Sequence, residues 1–403
     1  MALRGGKVSR RRFLKCFAGA VAAAVAAGVG YGVYEWSKRT HAPAPALTPT
    51  ATPTAPTLTP AITPTEAPTE TPSLTPTPAA ITRVSAILGH DLDEITRQAI
   101  DAIGGIESII NPGDKVFIKP NAVGWGTGAP DDNVITNGAR TKPEIVMAVA
   151  DECLKAGASR VIIGEGGQSN AFPYPNAFYL DGQTRVRDII AQLNERYGPK
   201  VSMVQLNSPG YRWVFVPSST DLGQIAVSSF AIDADKVISI PVLKTHHTCA
   251  VTLSMKNFVG ITPTSLYGSP RYRLHECDMG IDQCILDIVK GIQPDLAIID
   301  ASIGAEGNAP SVGPGAGIKV DMRDRLGAWA VLAGTDPVAV DCTATRMIGH
   351  EPMYVNHLRM AYQQGMGERR EERIELVGAQ MSEIRMEWIP SDQSGYPQKE
   401  EGS

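Results

Sequence analysis

No CxxC pair occurs among the six cysteines of this 403-residue chain. That absence argues against a zinc ribbon and a ferredoxin-type iron–sulfur cluster, which need thiolates paired at short spacing. A Walker loop is lacking too, since Lys319 stands outside any G-K-[ST]. The glycine stretches "GWGTGAP" (124–130) and "EGNAPSVGPGAG" (306–317) do not have dinucleotide-binding spacing after a strand. They read as structural turns or as ligand loops. There is no internal repeat. Basic residues are scarce beyond the first forty positions. Residues 1–40 hold 8 of the 37 Lys+Arg and 1 of the 42 Asp+Glu, leaving 29 basic against 41 acidic residues. A surplus of acid over that length excludes nucleic acid as an expected partner, and an anionic ligand must be drawn by local cations.

What is present at the N-terminus is an export plan. "SRRRFLK" (9–15) precedes an Ala/Gly/Val-rich apolar run, "CFAGAVAAAVAAGVGYGVY". Ser9, Arg10, Arg11, Phe13, Leu14 and Lys15 stand where a twin-arginine signal has them, which makes the twin-arginine export machinery an expected partner. The run approaches a spanning helix in length, six basic residues precede it, and no convincing cleavage site closes it. An uncleaved anchor over residues 17–34, with the body outside the cytoplasm, is the expectation. Residues 41–80 contain 11 Pro and 12 Thr, so 23 of 40 positions favour extended backbone and cannot bury a core. The expected organisation is a signal or anchor (1–40), a Pro/Thr-rich disordered stalk (41–81), one α/β domain (82–390) and a flexible tail (391–403).

Strands and helices alternate through the body. "KVFIKPN", "SRVIIGEGG", "VSMVQL", "KVISIPVLK", "DLAIID" and "AWAVLAGTD" read as near-continuous apolar strands. "KPEIVMAVADECLKAGA" and "TRVRDIIAQLNERYG" read as helices, as do a segment near 281–291 and one running from Pro337 to about Ile348. The fold class expected is α/β, a mostly parallel sheet covered by helices. Residues 211–230 read as a small antiparallel insertion.

Polar residues gather where these strands end: Lys119 and Asn121, then Glu165, then Lys244 to His247, then Asp300 and Ser302. Ligands sit beyond the carboxyl ends of strands in open parallel sheets, so the four ends are expected to share one pocket. From "KTHHTCAVTLSMKN" we expect a turn followed by about two helical turns. That path would bring Lys256 and Asn257 over the pocket, with Val251, Leu253 and Met255 packed inward. Asp336 before Pro337 reads as a helix N-cap. His275, Cys277 and Asp278 are metal-ligand types, although a plain loop fits them as well. His350 and His357 read as a helix end and a helix surface. Most of the five cysteines after Cys16 read as buried small hydrophobes.

These blocks, with "DLAIIDASIGAEGNAPSVGPG" and "AGTDPVAVDC", resemble the domain of unknown function 362 family over nearly all of 82–350. The resemblance implies recurring polar positions at Lys119, Asn121, Glu165, Lys244, Thr245, His246, Lys256, Asn257, Asp300 and Glu306. Some members carry a fused ferredoxin module, whose cysteine pattern is missing here. A more distant resemblance is to the nickel-pincer lactate racemase family, in which a histidine stands ten residues before a cofactor-tethering lysine. His246 and Lys256 have that spacing, whereas "CAVTLSM" stands in place of the glycines of that motif. A related α/β architecture is implied; the nickel group is not expected to follow.

Two functions fit. In the first, an exported enzyme holds a small anionic substrate with Lys119, Lys244 and Lys256, assisted by Asn121, Thr245, Asn257 and Glu306. His246 or His247 moves a proton, and Glu165 or Asp300 orients the imidazole or binds a metal. The export route fits a cargo loaded with a metal or other cofactor before transport. In the second, a tethered module captures a small anionic solute without transforming it.

Overall fold

The protein is described by a computed structural model over residues 81–122, 134–167 and 174–398. The proposed signal, anchor and stalk, the "GWGTGAP" stretch and residues 399–403 lie outside these residues. No helix among the described residues is long and apolar enough to cross a membrane.

The expected alternation is present. The first unit runs β1 (Thr82–Gly89), α1 (Leu92–Asp101), β2 (Lys115–Pro120), α2 (Pro143–Lys155), β3 (Arg160–Glu165), α3 (Val186–Tyr197) and β4 (Val201–Gln205). A hairpin follows, β5 (Trp213–Pro217) with β6 (Gln224–Ser228), forming the expected separate antiparallel pair. The chain then re-enters the sheet as β7 (Lys236–Ile240), β8 (Val242–His246) and β9 (Ala250–Val251). It continues through α4 (Ser254–Asn257) and α5 (Gly280–Ile292). β10 (Leu296–Gly307), β11 (Gly317–Asp321), β12 (Trp329–Gly334), α6 (Pro337–Met347), α7 (Asn356–Gln363) and β13 (Ile374–Gly378) complete the frame.

The strand order is β13-β1-β12-β10-β7-β2-β3-β4, with β8 and β11 paired to β10 and β9 to β8. The half from β10 to β4 is parallel. β12 lies antiparallel between β1 and β10. Every residue of β10 and β12 is buried, as strands covered on both faces require. α1 packs on β1 and β12, α2 on β2 and β3, and α6 on β10 and β12. Each fully buried aliphatic side chain of this core contributes about 1.5–3 kcal/mol of transfer free energy.

Three details differ from the reading of the sequence. "KVISIPVLK" is two strands, because Pro241 has no N–H to continue the ladder. Its carbonyl accepts from Asp300 N at 2.9 Å, and β8 then follows the far half of β10. Lys244, Thr245 and His246 therefore lie within a strand, as Lys119, Asp300 and Ser302 also do. Past His246 the chain makes a tight hairpin, with Thr245 opposite Val251 and His246 opposite Ala250. The β-branched Thr245, Val251 and Thr252 favour that hairpin over the two expected helical turns. Only the single turn α4 is helical. His357 is fully buried rather than on a helix surface, because α7 packs on α5 and sets its Nδ1 3.1 Å from Asp282. His350 does stand just past a helix end, after α6.

Asp336 caps α6 as expected, accepting from Val338 N at 2.9 Å and Ala339 N at 3.1 Å. Cys153, Cys249, Cys277, Cys284 and Cys342 are all buried and free.

Candidate functional site

A cavity of about 120 Å³ opens where β2, β3 and β8 deliver polar side chains and α4 passes over them. It is partly open to solvent and has room for several waters or a small molecule. Of the residues expected to share a site, it gathers Lys119, Asn121, Glu165, Lys244, His246, His247, Lys256 and Asn257.

α4 is fixed from below. Asp341 of α6 accepts from Ser254 N (2.8 Å), Ser254 Oγ (2.6 Å) and Met255 N (3.0 Å). Burial pushes this carboxyl up to about 6, against those donors. Val251, Leu253 and Met255 pack fully buried, which leaves Lys256 and Asn257 facing the cavity.

The lysines differ in what surrounds each ammonium. Lys119 Nζ has three acceptors: Pro120 O at 2.6 Å, Glu165 Oε2 at 2.7 Å and Asn257 Oδ1 at 3.3 Å. Three acceptors match the three protons of an ammonium ion. Glu165 also accepts from Ala122 N and Gly167 N, both at 2.9 Å. Burial would raise its pKa, but Lys119 and these amides hold it below the usual carboxylate value. Burial lowers Lys119 against the pull of Glu165. Gly260 makes this close pair feasible. A Cβ there would stand 2.7 Å from Glu165 Oε1 and 2.8 Å from Lys119 Nζ.

Lys244, fully buried, has two acceptors, Ala139 O at 2.7 Å and Asn121 Oδ1 at 3.0 Å. Lys256 is buried and has neither hydrogen-bond nor ion-pair partner among the described residues. Its charge is therefore directed at whatever fills the cavity.

The two imidazoles stack, with centroids 4.7 Å apart and planes at 19°. Thr248 N can only donate, and it points at His246 Nδ1 from 3.1 Å, so the neutral ring carries its proton on Nε2. Burial, reinforced by Lys256 and His247, holds His246 well below its ordinary pKa and keeps it neutral at pH 7. His247 is the reverse: its Nδ1 lies 3.0 Å from Ala309 O, a pure acceptor, so Nδ1 is protonated and Nε2 keeps a lone pair. One ring offers a donor and the other an acceptor.

Three expected residues lie elsewhere. Thr245 Oγ1 donates to Gly307 O at 2.7 Å and ties β8 to β10. Glu306 pairs with Arg325 at 2.5 Å and accepts from Ile389 N at 3.0 Å. Asp300 pairs with Lys142 at 3.4 Å and accepts from Ser302 and from Lys142 N, sealed on every side.

The sequence reading misses Arg271, Thr252 and Lys142, and leaves His275 between a metal-ligand type and a plain loop residue. Arg271 lines the cavity and donates to the carbonyls of Thr262 and Gly167. Burial lowers its pKa to about 10. Burial, Lys256 and His247 lower His275 to about 4. Thr252 Oγ1 is buried at the cavity without a hydrogen-bond partner among the described residues. Lys142 carried a legible sign: a cation just before the N-terminus of a helix opposes the macrodipole unless a buried anion holds it.

Away from the cavity, Asp221, Cys277 and Asp278 each bring a ligand atom to within 4.8 Å of the others. Asp221 and Asp278 also accept each other's backbone N–H. The residues of the cavity do not fit a nickel-pincer group. Val251, Leu253 and Met255 fill the core where that motif has glycines.

Residues 116–346 match the profile of the Domain of unknown function (DUF362). The chain belongs to this family. A thylakoid-associated protein of Synechocystis is 28% identical to it over 273 residues, 67% of this chain and 74% of that protein. The lactate racemase apoprotein of Thermoanaerobacterium thermosaccharolyticum is similar at a TM-score of 0.32 and 10% identity, over 55% of this chain and 50% of that one. A Thermotoga maritima protein is similar at 0.28 and 13% identity, over 57% and 52%. This DUF362 chain spans about half the length of each of those two structures. A likeness of that degree says nothing of ligand or reaction.

Proposed function

We propose that this DUF362 protein is an exported, membrane-tethered enzyme that binds a small anion and moves a proton on it. The observation that carries this reading is Lys256, a buried cation with no partner among the described residues, facing a cavity that also holds an imidazole donor and an imidazole acceptor. Arg271 and Lys119 add positive charge, and Glu165 is the one carboxylate among the described lining residues. A carboxylate or phosphate entering this space replaces its lost hydration with charge-assisted hydrogen bonds. His246 Nε2–H donates to the ligand, and His247 Nε2 accepts the proton. The basic, apolar N-terminus and its Pro/Thr-rich continuation support export and tethering, and the thylakoid association of the Synechocystis relative fits a protein held at a membrane.

Calorimetry with inorganic phosphate and a panel of small carboxylic acids tests the binding step. Lys256→Met should leave thermal stability within about 0.5 kcal/mol and weaken the best anion roughly 10–100-fold. Unchanged affinity would return Lys256 to a packing role. The same acids incubated in D2O test the proton step by NMR. Deuterium incorporation that His247→Ala abolishes supports an enzyme. Binding with no exchange in any acid supports the simple capture module.

A further inference from the structure

We propose that Lys244 is a nucleophile whose Nζ condenses with the carbonyl carbon of a small aldehyde or keto acid to form an imine. The inference rests on the anion-binding reading above and adds a substrate class, an acid that also carries a carbonyl group. Its basis is a count of partners. The two acceptors on Lys244 Nζ, Asn121 Oδ1 and Ala139 O, are both uncharged and take up two N–H groups. An ammonium would have a third proton with no acceptor among the described residues. A neutral amine has two protons, both satisfied, and a lone pair left at the cavity that Lys244 lines. The contrast with Lys119, in the same cavity with three acceptors including a carboxylate, is built into the sheet.

The electrostatic surroundings agree. Burial, then the Lys256 charge, pushes Lys244 well below the ordinary lysine value; Glu165 opposes this, and Lys142 and Arg140 add to it. Desolvation beside a second cation is a general way to make a lysine nucleophilic at neutral pH. The step balances without an oxidant. The amine lone pair forms the C–N bond, the carbonyl π pair moves to oxygen, and the proton lost by nitrogen goes to that oxygen. The carbinolamine then expels its hydroxyl as water, leaving C=N. Lys256 and Arg271 are the cations that hold the carboxylate of the same molecule.

Glyoxylate is the probe, because a two-carbon oxo acid fits the cavity and carries both groups. The intact protein is treated at pH 7 with glyoxylate and cyanoborohydride, whose hydride reduces the imine to a stable secondary amine, and modified lysines are mapped by mass spectrometry. Lys244 should be labelled about tenfold or more faster than the exposed Lys155, and inorganic phosphate should slow only the Lys244 reaction. Asn121→Asp gives Lys244 a carboxylate partner and should suppress its labelling about tenfold. Labelling confined to exposed lysines, or directed to Lys256, overturns the proposal. If phosphate still binds in that case, the anion-binding reading survives alone. Labelling of Lys244 by propanal but not by glyoxylate keeps the nucleophile and overturns the acid as its substrate.

Discussion

Two buried lysine–carboxylate pairs lie along this sheet, and they have different uses. Lys119 and Glu165 meet at 2.7 Å beside the cavity, whereas Lys142 and Asp300 meet at 3.4 Å inside solid packing. Glycine gives the first pair its space, and a close glycine contact also lies near the second. Gly260 stands against the first, and Gly138 approaches Gly304 beside the second so closely that a Cβ would be 2.0 Å from Gly304 O. Both have extra backbone donors on the carboxylate. The first pair has neighbours with unused valence: Lys256, His247 Nε2 and Thr252 Oγ1. The second has Glu144 Oε2, an unpartnered acceptor that lines a different groove, and so offers no unused donor there among the described residues. Burial and pairing therefore do not by themselves mark a working site; unused donors around empty space do.

The largest test of that contrast is Lys142→Met. It strands the Asp300 carboxylate in the core and should cost about 3–5 kcal/mol in denaturant unfolding. The folded fraction should bind anions as before; a lost affinity would merge the two centres into one. Gly260→Ala comes next. Its methyl meets both members of the first pair and should cost about 1–3 kcal/mol while also weakening anion binding.

Glu165→Gln keeps the shape of the first pair and should cost about 1–3 kcal/mol at pH 7. Its pH dependence follows from the direction of the shift. Glu165 titrates below its unfolded value of 4.5, so its stabilisation is full above pH 4.5 and is lost as pH falls through the folded pKa. The gap between wild type and variant should close in acid. A gap that does not narrow as pH falls below 4.5 would mean that the amide disturbs packing rather than charge.

The smallest change expected is a gain. Burial raises Glu144, on α2 next to Lys142, to about 7, and its Oε2 has no hydrogen-bond partner among the described residues. The folded state binds the extra proton between pH 4.5 and 7, so stability falls as pH rises through that window and the cost is complete above 7. Glu144→Gln should therefore stabilise at pH 8 by about 1–2 kcal/mol and do little at pH 5. Equal effects at both pH values would remove the titration from the account.

The fold class was legible because buried parallel strands leave apolar runs separated by helical spacing, as in "SRVIIGEGG" and "KVISIPVLK". Most of the cavity was legible too, because Lys119, Glu165, Lys244 and His246 are costly residues in such runs. What separates Lys244 from Thr245, or Glu165 from Asp300, is side-chain direction and register. Thr245 points to β10 and Asp300 to α2, and no local pattern records which partner strand lies there. Arg271 escaped notice for a related reason. It sits on a left-handed residue in an irregular segment, with φ of 70°, where periodicity carries no signal.

The order of strands also bears on how the chain is made. β1 pairs with β12 and β13, so Val84 must wait for Gly334 and for Leu376 to leave the ribosome. Every described residue lining the cavity lies between Lys119 and Pro310. On a nascent chain, then, the parallel half and its lysines can assemble while β1 and β10 still present open edges. Closing so long a loop comes late and slowly, and a chain stopped before Trp329 should aggregate through those edges. A chaperone that shields β1 during synthesis would protect the frame, since the parts of the cavity have already emerged.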